Sequence, residues 1–177
     1  MRALHLLLAA AASTTLSAAA QAQTPAAAPP AADRFAIPAP PLLPYGPRIT
    51  LDQAKRVAAA AQAEAKRRNL MATIAVVEPS GELVYFEKAD NASYSAFDVA
   101  YAKARSAARW RRTTKYDSDR LATGVNEVLA LPEVMPALGG EVIVLDGKIV
   151  GAIGETSGRG ENDVALAGAR ALQSPSP

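Results

Sequence analysis

The chain of 177 residues carries 19 basic and 17 acidic side chains, a net charge of +2, no cysteine and a single histidine, His5. This near balance of charge disfavours a general nucleic-acid binder, and the length suits one ordinary domain once a leader is removed. The lack of cysteine excludes disulfides and thiolate chemistry, so the fold must hold without such staples.

Residues 1–22 are typical of a secretory signal peptide. Arg2 gives a positive start, residues 3–12 form an apolar run too short for a good membrane span, and Ala20-Gln21-Ala22 supplies the small-x-small cleavage pattern. We therefore expect a mature protein that starts at Gln23, in the periplasm or outside the cell. Such a chain has no imidazole, which excludes Ser-His-Asp and Cys-His catalysis, zinc sites built on Cys or His, and histidine-ligated haem.

A proline-rich segment separates this signal from the predicted domain. Residues 23–47 hold eight of the 13 prolines, a composition that favours a disordered lead or tether. Its last part, residues 38–47, is apolar enough to dock on the domain or on a neighbour. Residues 48–173 are predicted to form one domain, and residues 174–177 a disordered tail.

The predicted elements follow the order αββααββα. Each is bounded by cap or turn signals: a helix over 50–69, strands over 71–78 and 82–88, helices over 93–110 and 117–129, strands over 141–145 and 148–153, a loop over 154–160 and a helix over 161–172. Thr50 and Gln53 form a capping box at the first helix, and Asp146-Gly147 is a strong hairpin signal. Two tight hairpins indicate an α+β fold, an antiparallel sheet packed by helices rather than a doubly wound parallel sheet.

Several strings in this region resemble one known family. They occur in the same order: residues 74–84, Asp90, residues 103–108, Gly139-Gly140, Asp146-Gly147 and residues 150–154. On these strings, residues 50–172 resemble the GlcG family, which includes HbpS-like secreted haem-binding proteins and the C-terminal domain of PduO cobalamin adenosyltransferases. The resemblance implies an antiparallel sheet of about five strands flanked by helices, assembly into homo-oligomers, and haem as a ligand of some members.

The glycine-rich end of the resemblance departs from the family pattern. The family turn usually runs Ile-Gly-Val-Ser-Gly before a Gln-Asp-Glu-like triplet, whereas residues 153–158 are one residue longer and Glu161-Asn162-Asp163 replaces the triplet. This turn precedes a helix and could hold an anion through Ser157 and Gly158. It is neither a P-loop nor a dinucleotide fingerprint, and a tight structural turn is the alternative. Gly139 and Gly140 likewise permit either close approach to a ligand or an unusual torsion.

Cations cluster without an acidic residue between positions 103 and 115. They are Lys103, Arg105, Arg109, Arg111, Arg112 and Lys115. Arg105, Arg109 and Arg112 share one helical face, which suits either a clamp for carboxylates such as haem propionates or a solvated surface. Lys103 stands apart because it lies in the family's Lys-Ala motif. Asp90 and Ser95 precede the same helix as candidate ligand contacts, or as caps.

Haem would need an iron ligand other than histidine. The candidates are two methionines and five tyrosines: Met71, Met135, Tyr45, Tyr85, Tyr94, Tyr101 and Tyr116. We expect an exported, homo-oligomeric protein that binds haem or another carboxylate-bearing compound, held by apolar contacts and by Arg or Lys, with Arg109 a candidate partner of the carboxylates. We expect no nucleic-acid partner and no membrane span. The alternatives are a cofactor-independent isomerase or lyase for a small carboxylate, using Lys103 with Asp90 or a Glu, and a non-catalytic accessory subunit.

Overall fold

The computed structural model describes residues 37–158 and 162–173. The predicted signal peptide, most of the lead and the tail at 174–177 lie outside the described residues. The described elements keep the predicted order: α1 (Leu51–Arg67), β1 (Thr73–Val77), β2 (Leu83–Glu87), α2 (Ala96–Trp110), α3 (Thr114–Ala122), a 3-10 helix (Asn126–Ala130), β3 (Gly140–Leu145), β4 (Lys148–Thr156) and α4 (Asp163–Arg170).

The strands form one antiparallel sheet in the order β2-β1-β4-β3. The predicted α+β class, an antiparallel sheet flanked by helices, is therefore confirmed. The described residues contain four strands in this sheet, where the resemblance implied about five. No helix in the described ranges is long and apolar enough to cross a membrane.

The end of the proline-rich segment docks on this sheet. Tyr45 makes an isolated bridge to Ile149 of β4, Gly46 N–H donates to the Ile149 carbonyl at 2.8 Å, and Ile149 N–H donates to the Pro44 carbonyl at 2.9 Å. The Tyr45 hydroxyl also donates to the Ala108 carbonyl in α2 at 3.0 Å. These bonds extend the sheet beside β4, beyond the end of β1, without adding a full strand.

Two cores form because β1 and β4 are buried on both faces. On one face α1 and α4 pack on Ile74, Val76 and Ile153, while on the other the alanines of α2 pack on Ala75 and Ala152. Small side chains let the α2 backbone lie close to the sheet. This close packing brings the polar residues of α2 against the end of β4.

The predicted capping box and the predicted Asp146-Gly147 turn are both confirmed. Thr50 N–H donates to Gln53 Oε1 at 2.9 Å, and Gln53 N–H donates to Thr50 Oγ1 at 3.2 Å. Asp146 and Gly147 have φ of 51° and 72°, the two positive values that a tight type I′ hairpin requires.

Two predicted elements differ from the structure by more than a few residues at an end. The predicted helix over 117–129 is split, because Gly124 adopts φ of +86° between α3 and the 3-10 helix. β4 runs through Thr156, so residues 154–156 belong to a strand rather than a loop. The strand continues there because Gly154 pairs with Gly140 of β3 and Glu155 pairs with Ile74 of β1.

Candidate functional site

Lys103 lies buried between α2 and the end of β4. Its side chain is 5% exposed, and its Nζ donates to the main-chain carbonyl of Glu155 at 2.8 Å. Burial lowers the pKa of Lys103 below its usual value, and the nearby Glu155 carboxylate opposes that shift. Glu155 is itself fully buried. The pair is thus an internal polar contact across the helix–sheet interface.

Gly139 and Gly140 pack closely against Glu155 and Lys103, respectively. A Cβ at Gly139, whose φ is +106°, would lie 2.7 Å from Glu155 Oε1. A Cβ at Gly140 would lie 2.7 Å from the Lys103 carbonyl and also collide with Thr114. Of the predicted site residues, the structure therefore gathers Lys103, Gly139 and Gly140. The absence of a Cβ at Gly139 and Gly140 thus allows close packing against other parts of this chain.

Glu141 anchors the start of α4 to the start of β3. Its Oε1 accepts hydrogen bonds from Asn162 Nδ2 at 2.5 Å and from Thr113 Oγ1 at 2.7 Å, while Asn162 Oδ1 accepts from Gly139 N–H at 3.0 Å. Burial raises the pKa of Glu141, opposed by these two hydrogen bonds and by the charge of Arg170. Neither Glu141 nor Asn162 is recognisable as a site residue from the sequence, because each gains its partners only through the fold.

Replacing Glu141 with glutamine should change how stability depends on pH. The folded protein holds the Glu141 proton more tightly than a free carboxyl with its pKa of 4.5. Wild-type stabilisation by this group is therefore present below pH 4.5 and lost as pH rises through the raised pKa. We expect Glu141→Gln to gain stability relative to wild type as pH rises from 4.5 through the raised pKa of Glu141, measured by urea unfolding. Parallel stability curves for the two proteins would contradict this.

A cavity of about 410 Å³ opens where α2 begins and β4 ends. This volume is within the range of roughly 300–1,000 Å³ found for small-molecule sites. The lining comes from three neutral segments: Asn69, Leu70, Met71, Asn91, Ala92, Ser93, Ala96, Thr156, Ser157 and Gly158. Ser157 and Gly158 are thus placed at a cavity, as their predicted role requires.

Two features of this cavity suit a polar ligand. The Ser157 Oγ atom is buried and has no hydrogen-bond partner among the described residues. Ala96 begins α2, and the Ser95 side chain does not cap that helix but lies 3.0 Å from Ser93 Oγ. Because Ala96 lines the cavity, the positive end of the α2 dipole lies beside it without a side-chain cap, while the Ala96 N–H donates to the Ser93 carbonyl at 3.1 Å. Asp90 is exposed in the preceding loop and is not part of the lining.

The arginine face of α2 lies elsewhere and is already engaged in ion pairs. Arg105 Nη2 and Arg109 Nη1 contact the two carboxylate oxygens of Glu133 at 2.7 and 2.6 Å. Arg112 contacts the buried Asp117 carboxylate at 2.7 Å. The predicted three-arginine clamp is therefore divided between two partners, and Arg109 does not line the neutral cavity.

The Lys103–Asp90 form of the catalytic alternative requires two residues that the fold keeps apart. Lys103 lies about two turns, or roughly 10 Å, along α2 from its first residue, whereas Asp90 is exposed in the loop before the helix. Lys103 Nζ is committed to Glu155 inside the core. The structure does not bring these two candidates together around one substrate.

The candidate iron ligands fall in different places. Met71 is 63% exposed and lines the 410 Å³ cavity. Met135 and Tyr101 line a separate cavity of about 270 Å³ beside the arginines. Three other tyrosines make local contacts: Tyr45 with Ala108, Tyr85 with Glu87, and Tyr116 with Arg112. Tyr94 is 98% exposed, with Lys88 over its ring. Met71 is the candidate placed at the neutral cavity.

These features define a small α+β domain with a ligand-sized cavity at one end of its sheet. The family described as "Haem degrading protein HbpS-like" matches residues 49–171, and the chain belongs to that family. The family resemblance noted in the sequence is thereby confirmed.

Named relatives agree with this membership. Protein GlcG of Escherichia coli strain K12 is 32% identical over 106 residues, covering 60% of this chain and 79% of GlcG. A double mutant of HbpS from Streptomyces reticuli is 28% identical with a TM-score of 0.65, covering 84% of this chain and 99% of that one. A PduOC:haem complex is 20% identical with a TM-score of 0.62, covering 71% and 95% of the two chains, and this likeness shows the fold alone.

Proposed function

We propose that this chain is an exported, homo-oligomeric ligand-binding protein whose ligand is haem or another carboxylate-bearing compound. The observation that carries this proposal is the neutral cavity of about 410 Å³ lined by Met71, Ser157 and Gly158. It lies in a chain of the HbpS-like family, and a structural neighbour was solved with haem bound. Export rests on the signal-like residues 1–22.

The residues present fit haem without histidine. Met71 offers a thioether for iron, and Leu70, Ala92 and Ala96 offer apolar contact. The buried Ser157 hydroxyl and the positive end of the α2 dipole suit a carboxylate. No ionised side chain is among the described lining, so pairing with Arg109, expected from the sequence, plays no part in this cavity.

Replacing Met71 with leucine should alter haem binding selectively. The substitution keeps the size of the side chain and removes its sulfur, so we expect a shifted Soret band and affinity weaker by about tenfold. The measurement is an absorbance titration of the processed protein with haem. Met135→Leu is the matched control, because Met135 lines the other cavity and should leave the titration unchanged.

Salt dependence distinguishes the two cavities. A neutral lining predicts haem affinity that changes little between low and high ionic strength, since screening acts on charge pairs. A steep fall with salt, together with a larger effect of Met135→Leu than of Met71→Leu, would move the haem site to the arginine face. The absence of any saturable Soret change would remove haem and leave another carboxylate as the ligand to be sought.

A further inference from the structure

Arg105 and Arg109 form a two-arginine carboxylate site on the outer face of α2. Arg105 Nη2 lies 2.7 Å from Glu133 Oε1, and Arg109 Nη1 lies 2.6 Å from Glu133 Oε2. One carboxylate is thus shared by two guanidinium groups. The side chains are 34%, 46% and 39% exposed for Arg105, Arg109 and Glu133, so solvent reaches all three. Ion pairs with such exposure exchange at small cost.

The chain holds Glu133 at this position in a strained conformation. Its φ is +59°, a left-handed value that residues other than glycine rarely adopt. The flanking residues are tied to α2, since Trp110 Nε1 donates to the Pro132 carbonyl and Ser106 Oγ accepts from Met135 N–H, both at 3.0 Å. These two hydrogen bonds hold the turn against α2, and the Glu133 carboxylate occupies the arginine pair.

An aromatic wall adjoins this occupied pair. The Arg105 guanidinium lies over the Tyr101 ring at 5.4 Å, and that ring stacks on Phe97 with centroids 5.6 Å apart. Tyr101, Val134 and Met135 line a mainly apolar cavity of about 270 Å³, with Arg105 and Glu133 also in its lining. Asp98 also lines this cavity, about two turns of α2 from Arg105.

We propose that this cavity binds an aromatic monocarboxylate, whose carboxylate replaces that of Glu133 between Arg105 and Arg109. The ring would lie against Tyr101 and Met135, because both offer flat or pliable apolar surface. Asp98 disfavours a second negative charge on the ligand, which selects monocarboxylates over dicarboxylates. This site shares no residue with the Ser157 cavity, so a failure of haem to bind at Met71 and Ser157 leaves it unchanged.

The test uses 2-naphthoate and its neutral match, 2-naphthamide. Binding is followed by NMR through the indole N–H of Trp110, the only tryptophan, whose partner is next to Glu133. We expect naphthoate to shift this signal in wild type and Glu133→Gln to bind it about fivefold tighter, because the internal competitor is gone. Replacing Arg105 with methionine in that variant should weaken binding about tenfold. Naphthamide affinity should not respond to either change.

Asp119→Asn is the charge-matched control. Asp119 pairs with Lys115 on α3 at 2.5 Å, so this variant loses one negative charge at another exposed ion pair. It should bind naphthoate as wild type does. Equal gains in Asp119→Asn and Glu133→Gln, or naphthoate binding no tighter than naphthamide in wild type and Glu133→Gln, would overturn the proposal.

Discussion

Replacing Gly154 with alanine should destabilise the domain by about 3 kcal/mol, the upper end of the usual cost of overpacking. A Cβ at this position would collide with the Ala100 carbonyl oxygen and lie 2.6 Å from the Ala104 backbone nitrogen. Both atoms belong to the α2 backbone, which no side-chain rotation can move aside. Relief requires α2 to lift from β4, and that movement also opens the buried Lys103 contact. Urea unfolding of both proteins measures the loss.

Gly124→Ala separates this collision from ordinary glycine strain. Gly124 has φ of +86°, but a Cβ there would meet no atom within 4 Å. Its replacement should therefore cost only about 1 kcal/mol, from backbone conformation alone. Equal losses at the two positions would show that the contact between α2 and β4 does not depend on the absence of a Cβ.

The elements with local signals were predictable from the sequence. Thr50 and Gln53 lie three residues apart and satisfy each other's backbone groups whatever the rest of the chain does. Asp146-Gly147 likewise sets its own turn. Both signals act within a few residues, which is why the order of elements and the antiparallel sheet could be read correctly.

The end of β4 could not be predicted in this way. Gly154 is a residue type that is common in loops. It continues the strand here because it pairs with Gly140 and lies against the α2 backbone. Because Gly154 was predicted to lie in a loop, the contact between Glu155 and Lys103 was not predicted. That contact joins residues far apart in the chain. Two sequence features together could have indicated this contact, the glycine at position 154 and the alanine-rich α2. A small residue opposite an alanine-rich helix is typical of close packing between a strand and a helix rather than of a turn.

The ion-pair partners of the α2 arginines could not be predicted from the sequence either. Arg105 and Arg109 share a helical face, as the spacing predicted. Their partner Glu133 lies in a loop distant in sequence and has φ of +59°. Residues 103–110 of α2 include no acidic residue, and the charge of their arginines is balanced by a carboxylate from another part of the chain. The neutral lining around Ser157 could be located only after the loop before α2 and the segment after α1 were placed together.

Replacing Lys103 with methionine should destabilise the domain by about 3 kcal/mol, the cost typical of breaking a buried charged pair by removing one partner. Methionine keeps most of the aliphatic stem but leaves the Glu155 carbonyl without its donor at 2.8 Å. The cost should grow as pH rises toward 10.5, because burial lowers the pKa of Lys103. In that window the unfolded wild type binds more protons than the folded one, so wild-type stability rises with pH while the variant lacks this gain.

Lys115→Met is the matched control for this experiment. Lys115 is 51% exposed and pairs with Asp119 within α3, so its loss should cost about 0.5 kcal/mol or less. Unfolding by urea at several pH values compares the two variants under the same conditions. A Lys103→Met loss no larger than that of Lys115→Met would mean that the Lys103–Glu155 contact contributes no more than a surface ion pair. A large loss that grows with pH would instead assign Lys103 to holding α2 on the end of β4, which sets one wall of the Ser157 cavity.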